Sequence, residues 1–257
     1  MTPPLIIAGL HRSGTSAVAR SLHLGGVFLG DDLLGAKPSN PHGHFEDVEV
    51  IHLHRDILDV NGHTWLVHQP FEPLVPDDSW KAIGAFARKR EATGKPWGFK
   101  DPRVCLFLPL WLHVLPDAHI VIAFRSPAEA VRSLHTRHSR QAVTREGSAE
   151  QHRSFWAIDD LGVRMWLHYH RELLKALPSD ERVHVVNFGD RAAIEHLIPT
   201  LNRRWHLGLD ETDYAALDPT LGRAPIDPLR VADRQLIPEV EEMWTELTTR
   251  ARASSER

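Results

Sequence analysis

A short apolar run near the start of the chain, Leu5 to Ala8, leads into Gly9-Leu10-His11-Arg12-Ser13-Gly14-Thr15-Ser16, and this junction constrains the fold more than any other stretch. It reads as a strand, a tight loop and a helix. Glycines let the backbone turn sharply and approach a ligand closely. The loop N–H groups then point inward at the start of the next helix, where the dipole favours negative charge. Ala17, Val18 and Leu22 give that helix an apolar face, and Gly25-Gly26 is a fitting stop.

The spacing of Gly9, Gly14 and the Ser16 hydroxyl fits the phosphate loop of P-loop nucleotide-binding proteins. One position departs from it. Where a P-loop NTPase carries its Lys, this chain has Thr15, and the cation sits earlier, at Arg12. Such a cradle suits a nucleotide other than ATP with magnesium. A second stretch agrees. His119 to Phe124 is an apolar run of the kind a buried parallel strand needs. Ser126, Pro127 and Glu129 then supply an N-cap, a first helical position and a capping box. Arg125 therefore stands at the carboxyl end of a strand, where open α/β sheets bind ligands. A magnesium-dependent NTPase tends to place an acid there.

With these two segments the chain resembles the sulfotransferases that use adenosine 3'-phosphate 5'-phosphosulfate, PAPS. The resemblance implies that Arg12, Ser13, Gly14, Thr15 and Ser16 bind the 5'-phosphosulfate. It implies that Arg125 and Ser133, eight positions apart, bind the 3'-phosphate. Helix geometry puts Ser133 about 10 Å along its helix, so a shared contact relies on the length of the Arg side chain. Gly98-Phe99-Lys100-Asp101-Pro102-Arg103 follows a short strand-like stretch and is similar to segments in bacterial members. Lys100 would meet the transferring sulfonate as a compact point charge; an internal Lys–Asp or Arg–Asp pair is the structural alternative. The implied fold is a single-domain, P-loop-like α/β unit over residues 1–257, with a central, mainly parallel sheet flanked by helices. The implied reaction is sulfuryl transfer from PAPS to a hydroxyl or amine of a small-molecule or carbohydrate acceptor, giving adenosine 3',5'-bisphosphate. A P-loop kinase-like phosphotransferase and a non-catalytic nucleotide-binding module are the rivals.

Transfer to a hydroxyl needs a base. Many family members use a Glu shortly after the first helix, and Glu46 is the best match; others use a His, which keeps His42 and His44 open. The alternative for Glu46 is a charge at a helix N-terminus, since Val48 to Val60 reads as a helix. The chain has 18 His, but no HExxH-like spacing and no cysteine cluster, so no metal site is expected.

The rest of the composition sets limits. A net charge of −4 argues against broad nucleic-acid binding, so the cations that matter are local. Cys105 stands alone, which fits a reducing compartment, and no apolar run approaches membrane-spanning length. A cytoplasmic enzyme without membrane insertion is expected. Residues 61–96 and 135–153 read as inserts near the substrate. One long helix is predicted over 154–177, a strand over Arg182 to Phe188, and a helix from Ile194 to Trp205 kinked at Pro199. A C-terminal helix with a tail frayed from about Ala251 completes the pattern.

Overall fold

The computed structural model describes residues 2–36, 43–211 and 228–256. Four parallel strands, β1 (Leu5–Ala8), β2 (Gly98–Lys100), β3 (His119–Phe124) and β4 (Val183–Asn187), form one sheet in the order β2-β1-β3-β4. Ile6 pairs with both Phe99 and Ile120, and Ile122 pairs with Val185. The runs are apolar throughout because both faces are covered. Alternation sends Ile6, Ala8, Phe99, Ile120, Ile122 and Phe124 into one core and Leu5, Ile7, Val121, Ala123 and Val186 into the other.

On the second face lie α1 (Thr15–Leu24), α8 (Arg191–Glu195) and α9 (Leu197–Trp205), which supply Val18, Leu22, Ile194 and Leu201. On the first face α2 (Val48–Val60), α3 (Asp77–Glu91), α4 (Val104–Val114), α5 (Pro127–Thr144) and α7 (Leu161–Lys175) supply Ile57, Phe86, Trp111, Leu134 and Trp166. This is the α/β, P-loop-like architecture that the first junction predicts. The loops after β1, β2 and β3 leave the same carboxyl edge, which is what brings their polar residues together.

Three expectations are corrected, and the two stretches read as inserts are found to carry helices. The helix predicted over 154–177 is two helices, α6 (Ala149–Ala157) and α7, parted at Ile158 to Asp160. Asp160 has φ 57 there, and its carboxylate accepts from the N–H groups of Ala232 and Asp233 at 3.0 and 2.8 Å. Residues 135–153 are mostly helical: α5 runs on to Thr144, and Ser148 caps α6. The 61–96 stretch likewise contains α3. The helix around Pro199 is not kinked but broken at His196, which leaves Pro199 in the first turn of α9, where its missing N–H is no loss. Finally, the tail is not frayed at Ala251. Helix α10 (Leu236–Glu256) continues, and the buried Ser254 Oγ accepts from the Val185 N–H of β4 at 3.1 Å.

Candidate functional site

The loop after β1 is held by two close approaches. At Gly9, with φ 142, a Cβ would come within 2.1 Å of the Ala123 carbonyl; at Gly14, with φ 91, it would come within 2.2 Å of the Phe188 ring. Between them Arg12 has φ 69. A non-glycine residue in that region costs about 1–3 kcal/mol, so surrounding contacts must hold it. One of these is visible: Arg12 Nε donates to Ser133 Oγ on α5 at 2.9 Å. Burial, then repulsion from Arg137 and Arg125, lowers the Arg12 guanidinium to about 10. Ser13 is fully buried, and its Oγ has no hydrogen-bond partner among the described residues. Thr15 is buried at the head of α1.

Lys100, the last residue of β2, is 2% exposed. Its ammonium donates to Ser16 Oγ at 3.3 Å, to the His44 carbonyl at 3.2 Å and to Glu46 Oε1 at 2.5 Å. The network joins the anion loop, the end of β2 and the segment before α2. Its partner carboxylate is Glu46, so the alternative of an internal Lys–Asp pair does not describe Lys100. Nor is Glu46 the cap of α2. That place belongs to Asp47, whose side chain accepts from the Glu49 N–H at 2.9 Å and pairs with the buried Arg90. His44 Nδ1 lies 4.0 Å from Glu46 Oε1. His42 lies outside the described residues.

Arg125 stands at the end of β3 as predicted. Its Nη2 donates to Glu129 Oε1 at 3.2 Å, and Glu129 also takes the Ser126 hydroxyl at 2.9 Å in the predicted capping box. Arg125 Nε is buried with no hydrogen-bond partner. Ser133 is occupied by Arg12, not by Arg125.

Several side chains of this site carry no sequence motif. Arg137 follows Ser133 by one helical turn, and its Nε is buried without a partner. Burial lowers its guanidinium, against the pull of Glu46. In the charged run His135 to Arg140 nothing distinguishes it except that spacing. His11 in the anion loop is held well below the usual imidazole range by burial, then by Arg103. Its ring lies 4.6 Å from Trp65, which also stacks on His138 at 5.3 Å and donates from Nε1 to Gln151 at 2.9 Å. Tyr169 ties the same segment down, its hydroxyl donating to the Trp65 carbonyl at 2.5 Å.

Arg12, Lys100, Arg103, Arg125 and Arg137 thus share one electrostatic neighbourhood in which Glu46, Asp101 and Glu129 are the carboxylates paired with them among the described residues. An excess of cation with buried donors that have no partner among the described residues, at the start of α1, has the chemistry to receive a polyanion. Among the described residues no group of three or more His, Cys, Asp or Glu converges in a way that could hold a metal, and no helix is long and apolar enough to cross a membrane.

The sequence model of a family described as "Sulfotransferase family" matches residues 3–194. No curated protein matches the chain. Among solved structures it is similar to a sulfotransferase from Alicyclobacillus acidocaldarius, with 16% identity, a TM-score of 0.49 and coverage of 100% of this chain and 97% of that one. It is similar also to the sulfotransferase domain of the curacin biosynthetic pathway, at 13% identity and TM-score 0.49 over 96% of this chain and 98% of that one. The sulfotransferase domain of the Synechococcus PCC 7002 olefin synthase matches at 18% and 0.47, over 98% and 94%.

Proposed function

The chain belongs to the sulfotransferase family and is a sulfuryl-transferring enzyme, and on that premise we propose that its donor is PAPS and its acceptor a hydroxyl, or an amine, of a small molecule or carbohydrate. The observation that carries the donor is the cationic receptacle itself, with Ser13 Oγ, Arg125 Nε and Arg137 Nε buried and unpartnered among the described residues. Buried polar atoms of this kind are costly unless something satisfies them. Arg12, Ser13, Gly14, Thr15 and Ser16 would hold the 5'-phosphosulfate, and Arg125 with Ser133 the 3'-phosphate. Arg137, one turn beyond Ser133, adds to the same face.

In-line transfer breaks the bond from sulfur to the bridging phosphate oxygen and forms one from sulfur to the acceptor oxygen. The loop N–H groups, Arg12 and Lys100 stabilise the charge that builds on the leaving oxygen and the sulfonate. Glu46 takes the acceptor proton. Lys100 occupies Oε1, which leaves Oε2 to the acceptor. His44, beside it, is the competing base.

Calorimetry with adenosine 3',5'-bisphosphate against 5'-AMP tests the donor. Losing a charge-assisted contact costs roughly 1.5–3 kcal/mol, so 5'-AMP should bind at least about tenfold more weakly. Equal affinities would remove the 3'-phosphate site. Tighter binding of ATP with magnesium would favour a phosphotransferase instead.

A further inference from the structure

Behind the site runs a chain of buried polar groups that the transfer described above does not use. Trp111 Nε1 on α4 donates to His54 Nε2 on α2 at 2.7 Å. His54 Nδ1 lies 3.3 Å from Asp101 Oδ1, within ion-pair reach but not aligned as a hydrogen bond. The same Asp101 oxygen accepts the Arg103 N–H at 2.7 Å, and the other oxygen pairs with Arg103 Nη1. Trp111, His54 and Asp101 are all fully buried. Burial alone would raise the Asp101 carboxyl, but Arg103 and then His54 hold it well below the usual range.

Such a chain is expensive unless every member is satisfied. A turn at Asp101 needs only the carboxylate and the Arg103 N–H. The indole holds the imidazole, and the imidazole packs its Nδ1 edge against the carboxylate whose other oxygen pairs with the Arg103 fork. Arg103 is the only charged member that reaches the surface, with its side chain 14% exposed. Of its guanidinium nitrogens only Nη1 has a hydrogen-bond partner among the described residues. Glu46 and Tyr169 act on it electrostatically, and it acts in turn on His11 of the anion loop. It leaves the sheet three residues after Lys100, on the same carboxyl edge.

We propose that Arg103 presents its remaining N–H donors to the transferring sulfonate, and that His54 is a positioning residue that aims Arg103 through Asp101. The assignment rests on the PAPS reading of the same site. It places a second cation beside Lys100, on the Glu46 side of the reacting group. Because Asp101 compensates its charge, Arg103 offers directed hydrogen bonds more than net charge, which suits a group whose charge moves to the leaving oxygen.

The test needs no acceptor. Inorganic sulfate, a stand-in for the sulfonate, is titrated into the enzyme with adenosine 3',5'-bisphosphate already bound. Arg103→Met should weaken sulfate binding roughly tenfold, about one charge-assisted contact, and leave bisphosphate affinity unchanged. His54→Gln should weaken it about threefold in the wild-type background and have no further effect beside Arg103→Met. A merely structural His54 would give the same factor in both backgrounds. Trp111→Phe breaks the chain one link further out and serves where His54→Gln does not fold. Sulfate affinity unchanged by Arg103→Met, or no sulfate binding at all, overturns the proposal. Failure of the bisphosphate to bind instead overturns the donor, and sulfate titrated into the free enzyme still reads Arg103.

Discussion

The ion pair between Lys100 and Glu46 decides what each side chain can do. Both are buried, with 2% and 7% of the two side chains exposed. The ammonium lies directly against the carboxylate, so the two charges compensate each other at the place where a base would act. Removing one member of a buried pair leaves the other uncompensated, at a cost of about 3–5 kcal/mol. Glu46→Gln is therefore the gentler probe, since it keeps an oxygen for Lys100 while removing the proton acceptor. Turnover should fall roughly 10²–10⁴-fold, and bisphosphate affinity should hardly change. The measurement is single-turnover transfer from PAPS, with an acceptor found by screening sugar, phenol and lipid hydroxyls. His44→Ala is the control: loss of turnover there, with Glu46→Gln active, would make His44 the base.

At the scale of elements, α5 and α6 are tied together by a pair of imidazoles and the rings around them. His138 Nδ1 and His152 Nδ1 are 2.9 Å apart, and His152 Nε2 lies 2.5 Å from the Glu146 carbonyl. His152 thus donates to that carbonyl from Nε2, and one of the two Nδ1 atoms donates to the other. His138 also stacks on Phe155 at 4.3 Å and 10°. Burial, then Arg137 and His152, lowers it to about 3. In the unfolded chain it titrates near 6.5. Between those values the unfolded state binds more protons, so the stability that the neutral His138 contributes is complete above about 6.5 and drains as pH falls toward about 3. Urea unfolding at about pH 7.5 and about pH 5 should therefore show a smaller acid loss in His138→Phe than in the wild type; an equal loss would exonerate this pair.

This pair also marks what sequence could tell. The bounds of α2 and the capping box at Ser126 were legible because they depend on neighbours within one turn. The split at Asp160 was not, since a single residue at positive φ leaves the apolar periodicity of the flanking helices intact. In the site, Arg12 stands out within its loop and Ser133 comes from the resemblance, as a partner of Arg125; its bond to Arg12 spans 121 positions and has no local signal. His54 looked like any histidine on an apolar helix, and only the fold sets it between Trp111 and Asp101.

For the whole molecule the balance of charge is the deciding quantity. The chain carries −4 overall, yet burial, then repulsion from the nearby Arg137 and Arg125, lowers the Arg12 guanidinium to about 10. Together with the backbone strain at Arg12, that repulsion is stability the free enzyme forgoes and a bound polyanion returns. Adenosine 3',5'-bisphosphate at a hundred times its Kd should stabilise the fold by about 2.7 kcal/mol. At 2–4 °C per kcal/mol for a chain of this size, the unfolding temperature should rise by roughly 5–10 °C. Arg12→Ala separates the two halves of this account. Without ligand it should melt no lower than the wild type, because the mutual repulsion is relieved. With bisphosphate it should lose most of the rise, because the loop has lost its cation. Scanning calorimetry of the two proteins, with and without bisphosphate, reads both at once. A variant that melts lower when free yet keeps the full rise would make Arg12 a strut between the loop and α5, and would move the polyanion site away from the β1 loop.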